Sequence, residues 1–119
     1  MKSLLFSFVF VLVGFFCFSQ EAIITDSEVF KKSVVDGNIS MTLPTEITND
    51  NVQKYSKYYT AFFITSFDAN SHQVTFNMVN NDAKSRRVIV RFLSANGIQF
   101  ARIGGRALSL SDFYDIYLN

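Results

Sequence analysis

Residues 60–79 read TAFFITSFDANSHQVTFNMV, and this stretch decides the fold. Thr60 to Phe67 is rich in β-branched and aromatic side chains. Gln73 to Val79 alternates, with Val74, Phe76 and Met78 on one face and Thr75 and Asn77 on the other, the period of a half-buried strand. Between them, Asp68-Ala69-Asn70-Ser71 supplies turn chemistry, because Asp and Asn side chains bond to nearby backbone amides. Two strands about this turn predict a hairpin.

Toward the C-terminus, Asn80-Asn81-Asp82 stops the second strand and offers N-caps to a helix over Ala83–Asn96. Ser85, Val88, Ile89, Phe92 and Leu93 form its inward stripe, and Lys84, Arg87 and Arg91 the opposite one. Asn96-Gly97 ends it in the left-handed manner. A strand over Ile98–Ile103, a tight turn at Gly104-Gly105 and a short strand at Arg106–Leu108 follow. Ser109 and Asp112, at capping-box spacing, open a terminal helix that carries Leu110, Phe113 and Tyr117 inward. Toward the N-terminus, Ile39–Leu43 alternates as a strand and Pro44 stops it. Thr45–Tyr59 is helical, capped by Thr48 or Asp50, with Val52, Tyr55 and Tyr59 on one face. Residues 20–38 are read as an N-terminal arm. Either a short helix capped by Asp26 or Ser27 runs to Gly37, or an extended segment begins at Ser33.

The order strand, helix, strand, strand, helix, strand places the chain in the α+β class. It predicts a ferredoxin-like βαββαβ sandwich over residues 39–119 with an added C-terminal helix. The expected sheet has four antiparallel strands and both helices on one face.

Met1 to Gln20 has one cation, Lys2, then an apolar run from Leu4 carried on to Phe18, closed by Ser19. That is the plan of a secretory signal peptide over residues 1–19, with cleavage before Gln20, and it implies a periplasmic or extracellular protein. The alternative is an uncleaved anchor, the one way this chain would meet a membrane. Lipidation at Cys17 is disfavoured by the bulky Phe16 before it. The leader's aromatic-rich core ending in Phe-Ser-Gln resembles exported proteins of Bacteroidetes-type bacteria. Without the leader the chain has ten cationic and ten acidic side chains and no Cys. Such a domain is held by its core alone, with no net charge to attract nucleic acid.

The stretch from about Ile39 to Ile103 resembles a heavy-metal-associated domain, the small ferredoxin-like fold of copper chaperones and metal-pump N-termini. Phe62 to Asp68 followed by Gln73 to Phe76 looks like that family's central hairpin. Val88 to Leu93 with Gly97-Ile98 looks like its second helix and the step after it. The family's metal loop is Gly-Met-Thr-Cys-x-x-Cys. Met41-Thr42 can be laid on its Met-Thr, but Leu43 and Glu46 then stand at the two Cys positions. Soft Cu(I) wants thiolates, and Leu43 offers no lone pair. The resemblance therefore implies the fold without its metal loop, and no cofactor is expected. The first reading is a non-enzymatic protein-interaction module. The alternative is a degenerate domain of that family binding a metal or a small hydrophobic molecule on its sheet side.

No enzyme constellation is present in the sequence. His72, the one histidine, sits in the hairpin turn without a Ser partner, and its pairing with Asp68 would make a poor metal site. Asp112 and Asp115 read as solvated charges on a first helical turn. Lys84, Arg86, Arg87 and Arg91 lie on one helix, with Arg102 and Arg106 on or after the next strand. Arg87 and Arg91, one turn apart, suit a carboxylate or an acidic patch on a protein partner; the bland alternative is a solvated helix face. The second candidate surface is the open sheet face. Apolar Ala61 to Ile64 is expected to be covered there by the terminal helix, or else to form a homodimer or dock another protein.

Overall fold

A computed structural model describes residues 20–119. The leader, Cys17 included, lies outside the described residues. The strands are β1 (Glu21–Ile24), β2 (Asn38–Thr42), β3 (Phe63–Asp68), β4 (Gln73–Met78), β5 (Phe100–Ile103) and β6 (Arg106–Ser109). The helices are α1 (Ser27–Asp36), α2 (Asn49–Ser56), α3 (Ala83–Ala95) and α4 (Leu110–Phe113), which continues as a π-type turn over Tyr114–Leu118. All six strands form one sheet in the order β3-β4-β2-β1-β5-β6.

This corrects the four-stranded, wholly antiparallel expectation. Residues 20–38 supply a strand and a helix to the sheet and core. β1 lies between β2 and β5, antiparallel to β2 at Ile23↔Thr42 and parallel to β5 from Glu21↔Phe100 to Ile24↔Ile103. Four residues are too few to display a period of two, so β1's place comes from distant pairing rather than local pattern. β6 folds back on β5 through Gly104 and Gly105, whose φ values of 57° and 85° suit a tight hairpin turn.

Local chemistry accounts for the helix ends. The Asp26 carboxylate accepts from the amides of Glu28 and Val29, and α1 stops at Gly37, φ 80°. Thr48 and Asn51 form a reciprocal capping box at the start of α2. The Asp82 carboxylate caps α3 through the Ser85 amide at 2.7 Å. After α3, the Ile98 amide returns to the Leu93 carbonyl at 3.0 Å, which delays β5 to Phe100. At the front of β3, the amides of Phe62 and Phe63 both bond the Tyr59 carbonyl, so residues 60–62 turn and the strand begins at Phe63.

Strand alternation puts Ile39, Met41, Val74, Phe76 and Phe63 in the core, joined by Ala22, Ile24, Ala101, Ile103 and Leu108. Phe63, Phe76 and Phe92 meet edge-on, with centroids 5.0–6.1 Å apart. A second aromatic group joins α1 to the C-terminal segment, with Phe30 5.6 Å from Phe113 and 6.0 Å from Tyr117. The inward stripe of α3 is the one read from its spacing: Ser85, Val88, Ile89, Phe92 and Leu93 are all buried.

Candidate functional site

α3 presents its charged stripe outward. Lys84, Arg87 and Arg91 are exposed, and none forms an ion pair among the described residues, where the pairs are Lys31–Glu28 and Arg102–Glu21. The Arg87 guanidinium lies 4.5 Å from the centre of the Tyr114 ring, and the Tyr114 hydroxyl donates to the Ala83 carbonyl at 3.0 Å. Tyr114 thus ties the C-terminal segment to the first turn of α3 while supporting Arg87 from below. Phe62, Lys84, Arg87, Val88, Arg91 and Tyr114 together line a surface depression of about 410 Å³.

Arg86 does not belong to this stripe. Its Nε donates to the Leu118 carbonyl at 2.6 Å and its Nη1 to Asn81 Oδ1 at 2.8 Å. Asn81 in turn donates through Nδ2 to the Val34 and Val35 carbonyls at the end of α1. One chain of hydrogen bonds therefore links α1, the β4–α3 connection, α3 and the C-terminal turn. Arg102 is likewise engaged. It meets Glu21 across β1 and β5 at 2.8 and 3.1 Å and bonds the Gly105 carbonyl at 2.8 Å. The hydrogen bonds and charge of Arg102 hold the Glu21 carboxyl below its ordinary range, and Glu21 raises Arg102 in return. Arg106 is exposed on the edge strand β6. Asp82, beside the stripe, is held low first by hydrogen bonds from Ser85 and then by the charges of Arg86 and Lys84.

Sequence reasoning missed two members of the depression, Phe62 and Tyr114. Phe62 falls in a run of strand-like composition, and Tyr114 lies off the i, i+3, i+7 spacing of Leu110, Phe113 and Tyr117. The segment widens to π-type geometry from Tyr114, so Tyr114 and Leu118 turn inward together with Phe113. No pattern in five residues signals that widening.

The open sheet face mixes polar and apolar residues, with Ile64, Ile23 and Phe100 exposed on it. Register places Ser66, Thr75 and Ser40 side by side across β3, β4 and β2, and the Ser40 and Thr75 hydroxyls lie 2.8 Å apart. Of the outward residues of β3, only Ile64 is apolar, and it is exposed. The terminal helix does not cover this face, because Phe113 and Leu118 are buried in the core and Tyr114 packs on α3. The expected cover is therefore corrected.

His72 has φ 57° and places its ring edge-on to Phe67, while Asp68 Oδ1 accepts from the Asn70 and Ser71 amides. Asp112 and Asp115 are exposed. Leu43 is buried, and the adjacent β2–α2 connection borders a hollow of about 330 Å³ lined by Pro44, Glu46, Ile47, Ile98 and Gln20. Among the described residues no three His, Cys, Asp or Glu side chains cluster, and no helix is long and apolar enough to cross a membrane. Comparison with family models, curated proteins and solved structures gives no match.

Proposed function

We propose that this chain is an exported, non-enzymatic protein-interaction module that meets its partner through the outward stripe of α3, with Lys84, Arg87 and Arg91 as the contact groups. The observation that carries the reading is that none of these three cations has an ion-pair partner among the described residues, beside a Tyr114 ring that supports Arg87. A guanidinium supported on an aromatic face keeps its N–H edge free for a carboxylate. Arg86 leaves the contact set, being committed within the chain. Export follows from the leader pattern.

We read the fold as a ferredoxin-like core in which β2-α2-β3-β4-α3-β5 is the parent path. The order β3-β4-β2-β5 that this path requires is interrupted by β1, and β6 extends its far edge. A second reading has one supporting observation. The hollow beside Pro44, Glu46 and Ile47 occupies the strand-to-helix loop where the heavy-metal-associated domains hold their metal, and its lining is mostly apolar. In that reading the site holds a small hydrophobic molecule.

A photo-crosslinking side chain at position 91, in the exporting cell, tests the first reading against one at position 66 on the open sheet face. Adducts to a protein are expected at 91 and not at 66. Adducts at 66 alone would move the contact surface to the sheet. A small molecule retained in native mass spectrometry would favour the second reading.

A further inference from the structure

We infer that the α3 surface recognises a protein segment carrying two carboxylates about one helical turn apart, with an apolar side chain between them. The inference rests on the reading of α3 as the contact surface and names the chemistry of its partner. Arg87 and Arg91 are four residues apart, which sets their side chains about 5–6 Å apart along the helix, and Lys84 continues the row one turn earlier. Two carboxylates at matching spacing can each accept a forked pair of N–H groups. Their like-charged neighbours then face counter-charges instead of one another.

The local acidic groups do not already satisfy this row. Asp82 is occupied as the cap of α3, and Asp115, near Arg87 at the rim, makes no ion pair with it. Without its leader the chain has equal numbers of cationic and acidic side chains, so the attraction is confined to this patch and selects a local acidic motif.

The walls of the depression decide between kinds of polyanion. Phe62, Val88 and the Tyr114 ring give it apolar sides among the cations. A hydrocarbon side chain flanked by carboxylates uses both features, and burying it there supplies the anchor that contacts of this kind depend on. A sulfated polysaccharide would use only the charges.

The test uses the chain from Gln20 and a short, labelled, helix-forming peptide with Glu at two positions four apart and Leu three after the first. Fluorescence anisotropy should show saturable binding that weakens as salt rises through the physiological range. Replacing both Glu by Gln, or introducing Arg87→Glu with Arg91→Glu into the protein, should weaken binding at least about tenfold. Leu→Ser in the peptide should weaken it as well. Arg91→Glu alone leaves the Arg87–Tyr114 contact intact, so it should keep the parent melting temperature while still weakening binding, which separates lost contact from lost fold. Equal binding by the Gln peptide, or binding unaffected by the arginine changes, overturns the inference. A parallel titration with heparin separates the two levels of the argument. If heparin binds and is lost in the double variant while the peptide does not bind, the partner is a different polyanion and α3 remains the contact surface. If neither binds, both the inference and the α3 reading fail.

Discussion

Arg86 and Arg87 are adjacent, chemically identical and on one helix, yet they do opposite work. A rotation of 100° per residue carries Arg86 toward the C-terminal turn and Asn81, while Arg87 stays over Tyr114 at the surface. Removing Arg86 strips a charged donor from the Leu118 carbonyl and from Asn81 Oδ1. A hydrogen bond from a charged donor contributes about 1.5–3 kcal/mol in the net, and the half-buried bond to Leu118 carries most of the effect because the one to Asn81 is exposed to water. Arg86→Ala should therefore lower stability by about 1.5–3 kcal/mol, read as a fall in the urea midpoint. Lys84→Ala, on the exposed stripe, should stay within about 0.5 kcal/mol of the parent. Equal midpoints for the two variants would show that Arg86 is no clasp. The sequence announced four cations on this helix but not their division of labour, because Leu118 and Asn81 reach Arg86 only through tertiary packing.

Among the elements, α3 and the β3–β4 hairpin were legible because everything that specifies them is local: a cap at Asp82, a 3.6-residue stripe, a turn at Asp68. β1 was not, because β5, with which its whole length pairs, lies nearly eighty residues away and its own four residues carry no distinctive period. What secures β1 is visible only in three dimensions: its ladders to β2 and β5, the burial of Ala22 and Ile24, and the Glu21–Arg102 pair. The folded-state pKa of Glu21 is depressed, so the pair's contribution is complete above the carboxyl's unfolded pKa and is lost as pH falls through the folded value. Glu21→Gln should remove that acid-side dependence. Stability of the parent, followed by urea unfolding, should fall more steeply than that of the variant below about pH 4.3. Parallel pH curves would mean the pair contributes nothing. The end of α1 gives a separate test. Gly37 has φ 80°, while a Cβ there would meet Asn81 at an ordinary 3.5 Å. Gly37→Ala should thus cost about 1–2 kcal/mol, from backbone conformation rather than collision. A neutral result in urea unfolding would contradict that account.

At the scale of the whole molecule, the question is what counts as the folding unit. The four-strand reading of the sequence makes residues 39–119 a domain and residues 20–38 an arm, and an arm can be removed. The observed sheet has no such freedom. β1 separates β2 from β5, and Ala22 and Ile24 stand in the core between Met41 on one side and Ala101 and Ile103 on the other. α1 adds Phe30 and Val34, and Phe30 is the neighbour of Phe113 and Tyr117 in the C-terminal segment. Cutting at Asn38 would expose the edges of β2 and β5 to each other across an empty strand position about 4.8 Å wide. It would also strip one wall from the second aromatic group. Closing that gap requires β5, with β6, to move over and form the antiparallel pair with β2 that the shorter ferredoxin-like path would have. The outcome depends on whether the remaining core can hold a small sheet without Ala22, Ile24, Phe30 and Val34. Losing four buried apolar side chains removes on the order of 6 kcal/mol or more of burial, comparable to the whole stability of a domain this size. The fragment 38–119 should therefore show no cooperative urea transition, whereas 20–119 should unfold in a single one. Adding back a synthetic peptide of residues 20–37 should restore the transition if the loss is of β1 and α1 themselves. Cooperative unfolding of 38–119 alone, near the parent midpoint, would show that the inserted strand is an accessory and that the four-stranded core stands by itself.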